Sequence, residues 1–141
     1  MADEANITSN LRITKDNLEY SSQPQSFTAD VSGTMGPIPG GLIVDTDGVD
    51  VEFTGLTTPA LCRIMNLDST NYVEYGIWDP ENDTFFPLGE VLAGETYVLR
   101  LSRNLQEQFG TGTGTTGDDT NRLHLRANTA NCNVVVEAFE A

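Results

Sequence analysis

The sequence predicts an all-β fold, an antiparallel sandwich or barrel formed by residues 41–141, with residues 1–40 as an arm or hairpin outside it. Three observations lead to this prediction. Apolar and polar residues alternate with a period of two, which is the pattern of strands with one buried and one solvated face. Short turn segments rich in Asp, Asn, Gly and Pro separate these stretches, as in sandwiches and barrels. Apolar residues are widely spaced before residue 41.

The clearest alternation runs from Val49 to Thr54, where Val49, Val51 and Phe53 share one face of the strand. Similar patterns predict strands at 97–101 and 123–127, and a Val-rich strand at 132–139. Further strands are expected at 60–67, 72–78 and 84–88. The expected core includes Val51, Phe53, Leu99, Leu101, Leu125 and Val134.

Little helix is expected. Ser102 can cap a turn or two over 103–109, and the Gly-Thr-rich stretch 110–120 then forms a loop. Before the sandwich, Pro37 and Pro39 stand among four glycines and favour extended backbone. We therefore expect residues 1–40 to wrap over their own domain or over a neighbouring subunit.

The chain is strongly acidic, since 21 Asp and Glu against seven Lys and Arg give a net charge of −14. This charge repels nucleic acid and disfavours an anionic membrane surface, so neither is expected as a partner. Solubility, or attraction to a basic patch on a protein partner, accounts for the charge. The N-terminus lacks the pattern of a secretory leader, and no apolar stretch approaches the roughly 20 residues of a membrane span.

Catalytic chemistry is not expected from the sequence. The single histidine, His124, falls mid-strand on the polar face between Arg122 and Arg126. The pattern supplies neither a nucleophile nor an orienting partner for a general base, so His124 is interpreted as an exposed strand residue. No GxSxG turn is present, and Cys and His are too few for a zinc site.

Two other features are interpreted as structural. Asp45, Asp47 and Asp50 are not spaced as in an EF-hand, because their glycine stands at the fourth position and not the sixth. A β-turn is therefore expected there, and no metal or other cofactor.

Cys62 and Cys132 both lie in strand-like stretches. They can pair across a sandwich, but buried, reduced thiols are expected in a chain without a leader.

One strand carries the only candidate binding face. Alternation places Tyr72, Glu74 and Trp78 on one side of it, with Val73 and Ile77 on the other. If Val73 and Ile77 face the core, the single tryptophan points outward beside a carboxylate. Such a face is typical of a protein interface or of a site where a sugar stacks. The alternative is a strand buried on both faces, with Trp78 near the rim.

Three segments, 55–76, 86–101 and 127–139, resemble parts of a known group of proteins. The first holds the run N-L-D-S-T-N-Y-V, interpreted as a hairpin, and the second an A-G-E turn ahead of a strand. In these segments the chain resembles small β-sandwich virion proteins of tailed bacteriophages, of the capsid decoration or cement type. The resemblance implies a jelly-roll-like sandwich, no enzyme activity, and assembly as a homotrimer on the major capsid protein.

The complete prediction is an all-β, antiparallel, jelly-roll-like β-sandwich with an extended N-terminal arm. Its expected function is that of a non-enzymatic virion protein, made in the host cytoplasm, that binds the outer capsid surface and stabilises the shell. Two alternatives stay open at this point. One is a carbohydrate-binding jelly roll that uses Tyr72, Glu74 and Trp78, and the other is a tail or neck component.

Overall fold

The computed structural model describes residues 4–56, 58–79, 82–102 and 122–141, and this part of the chain contains twelve strands and no helix. All strand pairs are antiparallel, so the prediction of an antiparallel all-β fold is confirmed. The helix expected at 103–109 and the loop at 110–120 lie outside the described residues. The strands are β1 (Ala5–Ser9), β2 (Arg12–Lys15), β3 (Leu18–Ser21), β4 (Gln25–Ala29), β5 (Ile38–Val44), β6 (Val49–Asp50), β7 (Pro59–Asn66), β8 (Val73–Asp79), β9 (Thr84–Val91), β10 (Thr96–Arg100), β11 (Arg122–Ala127) and β12 (Cys132–Glu140).

The chain divides into two compact units, the first ending at Ser32 and the second comprising Gly33–Glu140. The sequence placed this division at residue 40. Strand β5, however, begins at Ile38 and pairs with β12 of the second unit, so residues 38–40 belong to a sheet.

The first unit is a ribbon, in which β1 pairs with β4 and β2 pairs with β3. Ile7 lies opposite Phe27, and Ile13 lies opposite Tyr20. No residue from 4 to 32 is fully buried, so the ribbon has no core of its own.

The second unit consists of two four-stranded sheets. Sheet I has the order β10-β7-β12-β5, and sheet II has the order β6-β11-β8-β9. Within the described part of this unit, β8 and β9 are the only successive strands that pair with each other, and every other connection joins one sheet to the other. The segment Asp68–Asn71, interpreted as a hairpin turn, is therefore a crossover, because β7 lies in sheet I and β8 in sheet II.

The inner faces of the two sheets pack against each other in a sandwich-like arrangement. Ile64 and Val136 of sheet I and Val73 and Leu125 of sheet II are completely buried in one apolar cluster. The expected core residues all belong to this region: Val51, Leu125 and Val134 are buried, while Phe53, Leu99 and Leu101 are partly exposed and pack against it.

The strand expected from Val49 to Thr54 is shorter than the alternation predicts. Strand β6 comprises only Val49–Asp50, and the N–H of Val51 donates to the carbonyl of Leu123 at 2.9 Å. Beyond it, the N–H of Leu56 donates to the carbonyl of Phe53 at 3.0 Å, which closes a turn. No helix in the described ranges is long and apolar enough to cross a membrane.

Candidate functional site

The three residues of the candidate binding face lie in two different environments. Glu74 and Trp78 lie on the outer face of sheet II, while Val73 on the same strand is buried. Tyr72 precedes β8, and its carbonyl accepts the N–H of Asn128 at 3.2 Å. Trp78 follows Tyr72 by six positions along extended backbone, which places the two residues about 20 Å apart. A single sugar ring cannot stack on both aromatic side chains.

Trp78 is part of a packed group on the outer face of sheet II. Its ring stacks on His124 with centroids 5.1 Å apart, and Phe85 lies against the same imidazole at 5.2 Å. The Arg126 guanidinium lies 4.7 Å above the Phe85 ring and binds the Glu74 carboxylate at 2.8 Å. We call these five residues the outer-face cluster.

His124 is buried, so its interpretation as an exposed strand residue is wrong. Only 6% of the residue is exposed. Two aromatic rings flank the imidazole, and Gly48 packs against its Nε2, where a Cβ would overlap that atom. His124, on the polar side of the strand, is therefore buried by side chains and a turn from neighbouring elements, which alternation along β11 cannot reveal.

The imidazole also has the orienting carboxylate that the sequence pattern did not supply. Nδ1 of His124 lies 2.9 Å from Oδ1 of Asp50, its cross-strand neighbour in β6. Nε2, the nitrogen that a general base would use, is buried and has no hydrogen-bond partner among the described residues. In this arrangement Asp50 holds the ring in place, and Gly48 covers the nitrogen that a substrate would need.

The carboxylates of Asp45 and Asp50 form hydrogen bonds within the fold. Oδ1 of Asp45 accepts the N–H groups of Asp47 and Gly48 at 3.0 and 2.7 Å, which shapes the connection between β5 and β6. Asp50 holds His124, as described above. In the described part of the chain, no group of three or more His, Cys, Asp or Glu residues is placed to hold a metal ion.

The two cysteines are free and buried. Cys62 lies opposite Ala138 in the β7–β12 pair, and Cys132 lies six residues farther along β12, about 20 Å away. A disulfide requires Cα atoms within roughly 7 Å, so this register excludes the pairing that the sequence left open. Burial raises the pKa of the Cys62 thiol to about 12.

A polar corner organises one end of the sandwich. Asn66 is almost completely buried, and its Nδ2 donates to the carbonyls of Asn71 and Val91 at 2.9 and 3.1 Å. Its Oδ1 accepts the N–H of Asp68 at 3.0 Å. The Asp68 carboxylate in turn accepts the N–H groups of Thr70 and Asn71, and these bonds lower the pKa of that carboxyl. No local sequence pattern distinguishes Asn66 from an exposed asparagine in a strand, so its role is visible only in the structure.

Several large apolar side chains are exposed among the described residues. Within residues 4–32, five large apolar side chains are between 40% and 56% exposed: Leu11, Ile13, Leu18, Tyr20 and Phe27. In the second unit, Ile43 and Leu88 are the most exposed, at 67% and 69%. Contiguous apolar surface marks sites that contact other molecules, and within residues 4–32 Ile13 and Tyr20 are cross-strand neighbours.

Comparison with known proteins identifies no relative. No family model matches the chain, and neither a curated protein nor a solved structure has significant similarity to it. What this chain does is therefore inferred from its own residues and surfaces.

Proposed function

We propose that this chain is a capsid decoration, or cement, protein of a tailed bacteriophage. It acts without enzymatic chemistry, as a homo-oligomer that binds the outer surface of the major capsid protein and stabilises the shell. Its site of action is the virion surface, after synthesis in the host cytoplasm.

The strand order of the second unit supports a jelly-roll assignment within this proposal. When its eight strands are numbered in chain order, sheet I reads 6-3-8-1 and sheet II reads 2-7-4-5. Six of the seven connections cross between the sheets. Two four-stranded antiparallel sheets joined mostly by such crossovers favour an eight-stranded jelly roll, a fold typical of viral capsid proteins and lectins.

The observation that carries the proposal is the exposed apolar surface of the ribbon. Residues 4–32 bury no side chain fully, and five of their large apolar side chains are at least 40% exposed. A two-stranded ribbon is only marginally stable alone in water, so these side chains gain most when another surface covers them. A protein that adds such contacts across the seams of a shell stabilises that shell. The net charge of −14 favours a basic patch on the shell as the partner surface.

The contacts of the outer-face cluster do not favour the carbohydrate-binding alternative. Trp78 is half-buried and its ring already stacks on His124. The Glu74 carboxylate is bound to Arg126. A sugar would have to displace both interactions, and it would still lie about 20 Å from Tyr72.

The decisive experiment adds the full-length protein to particles of the encoding phage from which its gene has been deleted. Bound copies are counted by gel densitometry against the major capsid protein, and the temperature of DNA release is measured. We expect saturable binding at a copy number comparable to that of the major capsid protein, and a higher release temperature. A fixed number of about a dozen copies or fewer would instead assign the chain to the neck or tail, and absence of binding would overturn the proposal.

A further inference from the structure

We propose that the bond between Asp47 and Gly48 is a site of aspartate isomerisation, and that the carboxylate of Asp45 suppresses this reaction in the folded protein. In aspartate isomerisation the backbone is rerouted through the side chain of the aspartate, so the main chain becomes one carbon longer while the mass stays the same. The inference does not depend on what the protein binds, so it is tested separately from the capsid proposal.

The sequence contains a single bond of the kind that isomerises most readily. The reaction begins when the backbone nitrogen of the following residue attacks the side-chain carboxyl carbon of the aspartate, and a Cβ on that following residue hinders the attack. Glycine has no Cβ. Asp47 is the only Asp or Asn of the 141 residues that precedes a glycine. It is also exposed, so water reaches its carboxyl group.

The reaction balances with water as the only co-reactant. The nitrogen of Gly48 forms a bond to Cγ of Asp47, and the hydroxyl of the protonated carboxyl group leaves as water with the amide proton. The product of this step is a cyclic succinimide. Water then opens the ring at either carbonyl, and opening at the carbonyl of main-chain origin leaves the backbone connected through Cγ. That product is the isoaspartyl form.

Asp45 holds the attacking group in a position that opposes the first step. Its Oδ1 accepts the N–H of Gly48 at 2.7 Å and the N–H of Asp47 at 3.0 Å. Attack requires the nitrogen of Gly48 to turn toward Cγ of Asp47 and to lose its proton. The turn breaks a hydrogen bond to a charged acceptor, and the Asp45 carboxylate repels the negative charge that develops on the nitrogen. The folded segment therefore isomerises more slowly than the same sequence in an unfolded chain.

Gly48 also links this reaction to the outer-face cluster. It packs against Nε2 of His124, which is buried and has no hydrogen-bond partner among the described residues. An isoaspartyl linkage adds one main-chain atom directly before Gly48, which shifts the glycine relative to both Asp45 and the imidazole. Isomerisation thus uncovers Nε2 and loosens the ring on which Trp78 stacks.

Two substitutions at position 45 give a matched test. Asp45→Ala removes the hydrogen-bond acceptor, whereas Asp45→Asn keeps an oxygen at the Oδ1 position. Full-length wild type and both variants are incubated for weeks at mildly acidic pH, where a fraction of carboxyl groups is protonated, beside wild type unfolded in guanidinium chloride. Isoaspartate at position 47 is quantified with an isoaspartyl methyltransferase and by mass spectrometry of the peptide that contains it. Trp78 fluorescence before incubation confirms that each variant is folded.

We expect isoaspartate to form about tenfold faster in the unfolded wild type and in folded Asp45→Ala than in the folded wild type, a factor that corresponds to one hydrogen bond to a charged group. Asp45→Asn should remain close to the folded wild type. An Asp45→Ala variant that isomerises no faster than Asp45→Asn would overturn the inference. Equal rates in the folded and unfolded wild type would overturn it too, and that comparison requires no variant to fold.

A second measurement tests the predicted uncovering of Nε2. His124 is the only histidine in the sequence, so its acylation by diethyl pyrocarbonate is read without interference from another imidazole. Wild type that has isomerised in the unfolded state is refolded and compared with wild type that was unfolded only briefly. We expect faster acylation in the isomerised sample. Equal acylation rates would contradict the displacement of Gly48 from the imidazole.

Discussion

The backbone of Gly48 packs against the side chain of His124, a contact that no local sequence pattern indicates. Gly48 has a φ of +96°, a conformation that side chains disfavour, and it packs directly over Nε2 of the imidazole. The ring beneath it is held by Asp50 and by two aromatic neighbours. A side chain at position 48 therefore meets both backbone strain and an occupied space.

We predict that Gly48→Ala lowers the free energy of unfolding by more than the strain of its φ alone, which is about 1–3 kcal/mol. Gly94→Ala is the matched control, because Gly94 has a φ of +76° and a Cβ there would meet no heavy atom within 4 Å. Urea denaturation of both variants measures the difference. An equal loss of unfolding free energy in the two variants would show that the imidazole of His124 moves aside without cost.

Asp68 supplies a prediction about pH. Hydrogen bonds from the N–H groups of Asn71 and Thr70 lower its pKa in the folded protein relative to about 3.9 in the unfolded chain. Its contribution to stability is therefore complete above the unfolded pKa and is lost as the pH falls through the lower folded pKa. The melting temperature of Asp68→Ala should lie below that of the wild type at pH 7, and the gap should narrow below pH 4. A gap that stays constant down to pH 2 would contradict this assignment.

At the scale of elements, the corner around Asn66 joins two crossovers. The side chain bonds to the β7–β8 connection through Asn71 and Asp68, and to the end of β9 through Val91. The backbone of Asn66 also exchanges hydrogen bonds with Gly94 and Glu95 of the β9–β10 connection. Asn66 thus connects two segments, β7–β8 and β9–β10, in which the chain crosses from one sheet to the other.

Asn66→Ala should lower the free energy of unfolding by about 2–4 kcal/mol. The buried carbonyl of Val91 loses its hydrogen-bond donor, and the side-chain bonds to Asn71 and Asp68 are lost as well. Asn133→Ala, an exposed change in β12 that removes no side-chain hydrogen bond to another described residue, should cost less than about 0.5 kcal/mol. Thermal and urea unfolding give both values. Similar small losses at the two positions would mean that water replaces the Asn66 side chain without penalty.

Burial makes the two cysteine thiols slow to react, and the register of β7 and β12 keeps them too far apart to pair. A pKa of about 12 leaves roughly one Cys62 thiol in 10,000 ionised at pH 8, and the thiolate is the reactive form. We predict that a thiol reagent labels the native protein slowly, and that two thiols per chain titrate once it is unfolded without reductant. Recovery of fewer than two thiols would reveal a disulfide and contradict the register.

At the scale of the whole molecule, every buried residue of the core cluster lies in the second unit. We predict that a chain of residues 33–141 folds, with a melting temperature within a few degrees of the full-length protein. Differential scanning calorimetry and Trp78 fluorescence measure this. If the capsid proposal holds, the shortened chain no longer binds particles. An unfolded shortened chain would show that the ribbon stabilises the sandwich.

The alternation of the sequence correctly predicted which faces of the strands are apolar and buried. Leu125 of β11 and Val134 of β12 are buried as expected, because a strand sends successive side chains to opposite faces whatever lies next to it. The acidic composition and the widely spaced apolar residues before residue 41 are likewise properties of the sequence alone. The wide spacing of the apolar residues indicated a segment that gains little by packing alone, and no residue from 4 to 32 is fully buried.

The tertiary structure alone decided which strands meet. Asp50 and His124 are 74 residues apart in sequence, and no local pattern predicts that β6 and β11 pair in the register that brings them together. The same holds for the crossover at Asp68 and for the distance between Cys62 and Cys132. Side-chain alternation repeats every two residues along any strand, so it does not indicate which other strand lies next to that strand or in which register. Register and sheet order are set instead by packing and hydrogen bonding between segments distant in sequence.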